Sequence, residues 1–444
     1  MTRFIKWFLV IIVLYHILIT VIQYGIFGGA HPNAPAILRD GIWFVFVVCV
    51  IIFYAKECWS YLKKRKRPRI WLIILVVFSV GISYIKGKNI SDMLIGIKYG
   101  FLYLPIFLSA TFLGHILYKK SVERSTLPTG RQAFNVQRFL QRVKYFLVVT
   151  LIAGFLWQIS KFIRPNRFMT IWYGPFQDFV FWAKPPIYYL TGFHGTSRRQ
   201  GIFSWPNNYG YFLIALLPAI IVLCKIKWQW IKQRMSNKLA IRNTIIIALR
   251  ILAIILTLSR TAAIGGVVAL AMMNFQWIKK NKKIARWIGI IVLIGILWLS
   301  ILKWASTLWH IQAKFGSLKY VLQNPSGYGL GTSWPAVHHN GTILPENYFL
   351  QLILDIGTVG FILWAILIRQ LQNISSKMKR YFVHTEDTAT QQIYHLRMAL
   401  TIGWLALLVM GLFLHVFEDS MVNYIFFILR GLMSGYLFAG VKRE

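Results

Sequence analysis

The sequence predicts an all-α, polytopic membrane protein of about 12 transmembrane helices, and three observations carry that prediction. Hydrophobic residues make up 57% of the chain and charged residues only 14%, where a water-soluble protein carries about 25% charged. The mean hydropathy is +0.57. The apolar residues fall in blocks of roughly 17 to 22, the length that crosses a bilayer as a helix. Lys and Arg gather in the short segments between blocks, as in Lys63-Lys64-Arg65-Lys66-Arg67 and Lys279-Lys280-Asn281-Lys282-Lys283. That placement also disposes of nucleic acid as the partner implied by a net charge of +38. The charge is spread over connectors and no nucleic-acid-binding motif accompanies it. Basic connectors instead write topology by the positive-inside rule and lie against anionic lipid headgroups.

Taken in order, Arg3 and Lys6 precede an apolar run, with a span expected near 4–24. It is too long for a signal peptide and no small-residue cleavage site follows, so an uncleaved first span is expected. Spans follow at 41–59, at 70–87 after the Lys63–Arg67 cluster, at 97–118 and at 143–163. The next, 209–225, comes just after Pro206-Asn207. Two more, 244–259 and 261–277, are one apolar stretch interrupted by Leu258-Ser259-Arg260-Thr261, which reads as a helical hairpin. The span at 284–304 follows the second lysine cluster, and that at 348–368 follows Pro345-Glu346-Asn347. Spans at 397–416 and 421–440 flank a turn with Glu418 and Asp419.

An even number of spans returns both termini to one side. Placing Met1 in the cytoplasm puts about two thirds of the 50 Lys and Arg on the cytoplasmic side. The expectation is a single integral membrane domain, 1–444, with both termini cytoplasmic. Two long extracytoplasmic loops remain, 164–208 and 305–347, both longer than connectors require. Within them, Ile171–Phe181 and Ala305–Leu322 have the aromatic and basic content of helices lying in the membrane interface. The segments 119–142, 225–243 and 369–396 read as basic topology signals. No internal repeat of matched transporter halves is present.

Chemistry on the outer face must draw on a short supply of acids, since the whole chain has only 12 Asp and Glu. The candidate bases there are Glu346 and the loop histidines His194, His310, His338 and His339. Glu346 stands out at the end of the second loop, where the dipole of the following helix favours a charged carboxylate. Its bland alternative is a helix cap or first-turn acid. Arg260 sits at the membrane boundary, a costly place for a guanidinium unless it is paired or lines a wet cavity. Arg198 and Arg199 end the first loop in Ser197-Arg198-Arg199-Gln200-Gly201. External arginines suit a diphosphate, because guanidinium stays charged and bonds in bidentate fashion. Arg250 and Arg430 lie inside apolar blocks and read as structural. Trp205, Tyr209, Trp334 and Tyr348 are sugar-stacking candidates or interface anchors. Cys49, Cys58 and Cys224 form neither a disulfide framework nor a zinc set. His338-His339 is a weak metal hint, and no required metal or cofactor is expected.

At this point the motifs resemble a family. Leu258-Ser259-Arg260-Thr261-Ala262, followed by an apolar span of small residues, is similar to the central motif of the O-antigen ligase and polymerase family. Arg198-X-X-Gly201-X-Phe203-X-X-Pro206-Asn207 resembles the segment before its middle spans. Gly327-Tyr328-Gly329-Leu330-Gly331, Glu346-Asn347-Tyr348-Phe349-Leu350 and Asp355-Ile356-Gly357-Thr358-Val359-Gly360 resemble its large-loop signature. These motifs cover residues 195–365.

The resemblance implies a fold like that of the C-type glycosyltransferases, in a bacterial cytoplasmic membrane. Its substrates would be undecaprenyl-diphosphate-linked glycans, as donor and acceptor, with undecaprenyl diphosphate as carrier and no nucleotide sugar. A flippase and a chain-length regulator are the protein partners it implies. Arg198, Arg199 and Arg260 would bind the donor diphosphate, and Glu346 would be catalytic. Asn207, His338, His339, Asn347 and Tyr348 would bind glycan or support the site. Glu346 stands where the family's ligases carry histidine, which favours a repeat-unit polymerase over a ligase. The alternatives are a ligase acting on another acceptor and a lipid-linked oligosaccharide flippase or other transporter.

Overall fold

The computed structural model describes residues 66–123, 140–152, 154, 206–231, 237–302, 304–333, 343, 345–382, 388–417 and 420–440, with scattered positions between 41 and 52. The described chain is nearly all helix. Its helices are α1 (Lys66–Ile85), α2 (Ile90–Phe101), α3 (Tyr103–Glu123), α4 (Pro206–Ile231), α5 (Asn237–Leu256) and α6 (Arg260–Met273), followed by α7 (Phe275–Lys280), α8 (Lys282–Leu302), α9 (Trp304–Gln323), α10 (Tyr348–Phe382), α11 (Thr388–Gly411) and α12 (Ser420–Gly440). A further helical stretch over 140–152 buries Leu140, Val143, Leu147 and Leu151, one face of a helical repeat.

Among the described residues, three helices are long and apolar enough to cross a membrane, over Asn207–Cys224, Tyr348–Gln372 and Gln391–Gly411. The bent pair α2 and α3 makes a fourth if it counts as one span. Shorter apolar helices run over Ile70–Ile85, Asn243–Leu256, Arg260–Met273 and Val422–Leu437. The expected spans at 4–24 and 41–59 lie outside the described residues, apart from isolated positions.

The single span expected over 97–118 is corrected to two helices that meet at Leu102 with a bend of 58°. A helix that stops inside a bundle leaves backbone carbonyls without helical donors. The Gly100 carbonyl accepts from the Tyr348 hydroxyl at 2.9 Å. That hydroxyl lies 3.1 Å from the Tyr103 hydroxyl, which also accepts from Trp364 Nε1 at 2.6 Å. The break is thereby satisfied from α10.

At the centre, α4 packs against α6 and α11, while α3 lies along α12. Leu213, Ile214, Ala215 and Leu216 are fully buried. Pro218 lies inside α4 and lacks an N–H, so the Ile214 carbonyl has no i+4 donor, and the Leu213 and Phe212 carbonyls lie just before it. Arg250 of α5 donates to two of them, from Nε to Leu213 at 3.0 Å and from an amino nitrogen to Phe212 at 3.2 Å. Arg430 is buried over the Trp404 ring at 3.8 Å and the Phe107 ring at 5.3 Å. Glu418 and Asp419 lie outside the described residues.

The second loop returns to the bundle through α10. Gly357 breaks that helix at φ +72°, which frees the Leu354 and Asp355 carbonyls to accept from Tyr328 N at 2.7 Å and Gly329 N at 3.0 Å. A Cβ on Gly327 would meet Gly357 N at 2.5 Å, and one on Gly331 would overlap the Asp92 carbonyl. The buried Asp355 carboxylate then accepts from Ser333, through Oγ at 2.6 Å and N at 3.0 Å. The glycine-rich signature at 327–331 and the Asp355–Gly360 signature are therefore two halves of one joint.

Candidate functional site

Helix α9 turns its polar side inward. Thr307, His310, Lys314, Ser317 and Val321 recur at helical spacing and are partly or fully buried. The other faces expose large apolar groups, with Phe315 68% and Leu322 75% accessible. A helix in water puts its apolar stripe on the core. The reverse arrangement suits a helix with hydrocarbon outside it and a polar wall within, and a helix does cover the stretch Ala305–Leu322.

Glu346 meets this wall. Its Oε2 lies 3.1 Å from His310 Nδ1, with the two side chains 13% and 28% exposed. The pair is mostly dry yet open on one side. Both atoms are buried, and neither makes a hydrogen bond to another described group. Glu346 holds a left-handed backbone at φ +50°, which costs a residue with a Cβ about 1–2 kcal/mol. Strain of this kind, held in place by its surroundings, accumulates at functional sites.

The bland role expected for Glu346 is filled by its neighbour. Asn347 Oδ1 accepts from Phe349 N at 2.9 Å and Leu350 N at 3.1 Å, capping α10. Its Nδ2 donates to the Leu412 carbonyl at 2.9 Å. Asn347 thus fixes the start of α10 directly after Glu346. Replacing Asn347 with alanine is expected to cost about 1 kcal/mol of stability, read as a lower melting temperature in detergent. Asn347→Asp, which keeps the capping oxygen, is expected to lose less.

Arg260 approaches from α6. The preceding turn has Leu258 at φ +47°, and the Ser259 hydroxyl caps α6 by accepting from Ala262 N at 3.3 Å. The hairpin interruption read from the sequence is thus a built turn. The half-buried Arg260 guanidinium donates to the Thr307 hydroxyl, which passes its own hydrogen to the Ser300 carbonyl at 2.9 Å. A cation at a helix N-terminus opposes the helix dipole, so the position favours an anion in front of it.

Lys314, one turn beyond His310, feels both the Glu346 carboxylate and the Arg260 guanidinium. Burial holds its ammonium below the ordinary lysine value, Glu346 works against that shift and Arg260 adds to it. Its Nζ lies 4.9 Å over the Phe413 ring. In the segment after α11, His415 Nδ1 lies 3.3 Å from Gln351 Oε1. Among the described residues no group of three or more His, Cys, Asp and Glu side chains is placed to hold a metal ion.

The expected site residues divide as follows. Arg260, Glu346 and Asn347 converge. Asn207 lies on the first turn of α4, beside α6, because a Cβ on Gly210 would meet the Ala262 side chain at 2.8 Å. Tyr348 is fully buried, with its hydroxyl on the Gly100 carbonyl. Tyr209 is likewise buried in the core. Arg198, Arg199, His338 and His339 lie outside the described residues. Lys314 went unread in the sequence, although the helical spacing of Thr307, His310 and Lys314 was its signal. Comparison with protein-family models, curated proteins and solved structures gives no match to this chain.

Proposed function

We propose that the chain is a polymerase that joins undecaprenyl-diphosphate-linked oligosaccharide repeat units into a surface or exopolysaccharide. It would work at the outer face of a bacterial cytoplasmic membrane, with both termini inside, about 12 spans and a fold like that of the C-type glycosyltransferases. The observation that carries the reading is the Glu346–His310 contact of 3.1 Å, joined to Arg260 through Thr307 on the same helix. A base beside a cation at the lipid boundary is what glycosyl transfer from a lipid diphosphate requires. His310 also restores, from another helix, the imidazole that the resembling ligases carry at position 346.

In this mechanism the acceptor is a sugar hydroxyl of an incoming repeat unit. Glu346 takes its proton as the oxygen attacks the anomeric carbon of the growing chain. The new glycosidic C–O bond forms while the bond from that carbon to the phosphate oxygen breaks. Undecaprenyl diphosphate departs, its charge met by Arg260 and, by the resemblance, by Arg198 and Arg199. Asn207 supports the same end of the bundle, and His338 and His339 are assigned to the glycan by the resemblance alone.

The test supplies purified protein in nanodiscs with lipid-linked repeat units and follows glycan length. A ladder of increasing length is expected, and Arg260→Ala is expected to lower its rate about a hundredfold, the scale of losing one preorganised charge donor. Intact single units from well-folded protein given correct substrate would overturn the polymerase.

A further inference from the structure

We infer that Asp355 is a positioning residue for Glu346, acting through Ser333 and Ile343 to hold the strained backbone on which that carboxylate stands. The inference deepens the reading above and rests on it for the role of Glu346. Asp355 is buried on the apolar span of α10, where an acid is costly and calls for a role. Its Oδ1 accepts from both donors of Ser333, the hydroxyl at 2.6 Å and the N–H at 3.0 Å. Ser333 is buried too, and a hydroxyl bond that short fits a charge-assisted contact. Ser333 in turn forms a parallel β-bridge with Ile343. The Ile343 side chain is buried in a cluster with Val321 of α9 and Leu354 of α10. Only Leu344 and Pro345 separate Ile343 from Glu346, and the proline ring fixes one of the intervening torsions. Glu346 at φ +50° is strained, and strain persists only where the surroundings over-determine it. Asn347 fixes the side that follows, through the cap of α10. The path from Asp355 through Ser333 to Ile343 fixes the side that precedes. The two together clamp the base in place.

The test uses full-length protein in nanodiscs, with Asp355→Leu, Asp355→Asn and Ser333→Ala. Leucine takes away the acceptor of both Ser333 donors. It is expected to lower the maximal rate of chain growth per folded protein about a hundredfold, the scale of a misplacement of about 1 Å. KM for lipid-linked repeat units is expected to hold, because the change moves the base and leaves the binding groups alone. Asparagine keeps the accepting oxygen and is expected to recover most of that rate, with Ser333→Ala falling between. Melting temperature tests the clamp without any glycan. Once the clamp is broken residue 346 relaxes, and glycine there has less strain to remove. Glu346→Gly is therefore expected to help the wild type by about 2 °C more than it helps Asp355→Leu. The same comparison in Ser333→Ala, which keeps one of the two bonds, covers a failure of Asp355→Leu to fold. Equal effects of Glu346→Gly in the two backgrounds overturn the inference. So does a wild-type rate per folded Asp355→Leu protein, the pattern of an acid that serves stability alone. The two readings fail separately. Unequal effects of Glu346→Gly with no polymer formed uphold the clamp and sink the polymerase. A polymer ladder with equal effects does the opposite.

Discussion

Glu346→Gln is expected to abolish chain growth, lowering the rate of polymer formation by at least about a hundredfold, while the protein folds and melts as the wild type does. The size follows from the role: a positioned base contributes about 10²- to 10⁴-fold, and an amide of the same shape accepts no proton from the acceptor hydroxyl. Folding is spared because the amide keeps the size of the carboxylate and the left-handed backbone at φ +50° costs Gln what it costs Glu. Asn347, not Glu346, supplies the hydrogen bonds that start α10. Glu346→Gly sharpens the test. Glycine removes the steric cost at that φ, so this variant is expected to fold at least as well as Gln and to be equally inactive. His310→Gln leaves the carboxylate in place and is expected to lose less activity than Glu346→Gln. The measurement is glycan length against time in proteoliposomes, together with the side on which single units collect. A transporter would leave units on the loading side when impaired; a polymerase would leave them unjoined on the outer face. Full activity in Glu346→Gln would remove the base from the mechanism.

Much of the helical layout was legible because it is written in apolar blocks and basic punctuation. Lys282–Leu302 nearly coincides with the block read at 284–304, and the interruption at Leu258–Thr261 is a real turn with its own cap. Glu346 was legible for the same reason, as an acid at the end of a loop just ahead of an apolar run. Local pattern failed where the deciding partner is distant in sequence. The break at Leu102 is stabilised by Tyr348 and Trp364, which no window around 97–118 contains. Which of Glu346 and Asn347 caps α10 depends on a left-handed φ, and neither residue type dictates it. Lys314 resembled every other interface lysine until the inward face of α9 was known. The glycine signatures were visible as motifs, while their physical work, joining a loop to a broken helix, required knowing that Tyr328 and Gly329 reach the carbonyls of 354 and 355.

The largest effect on stability is expected away from the site, at Gly435→Leu. Gly431 and Gly435 of α12 are four residues apart, and both press on the backbone of α3. A Cβ on Gly431 would meet the Phe107 carbonyl at 2.6 Å, and one on Gly435 would overlap the Thr111 carbonyl. Gly114 of α3 returns the contact, since its Cβ would overlap the Leu432 carbonyl. Where lipid surrounds a bundle, apolar side chains gain little by leaving it, so close backbone approach at small residues does much of the holding. Backbone cannot rotate away as a side chain can. The two helices must separate, and with them Arg430, which α12 sets over Phe107 and Trp404. The expected loss is about 3 kcal/mol, the upper end for overpacking, read as a lower melting temperature. Gly435→Ala is expected to lose less because it adds only the Cβ. Gly289 of α8 provides the contrast: nothing lies within 4 Å of a Cβ built there. Gly289→Ala is expected to be neutral or to stabilise by up to about 1 kcal/mol through helix propensity. Equal responses at 289 and 435 would mean that α3 and α12 do not pack through their glycines.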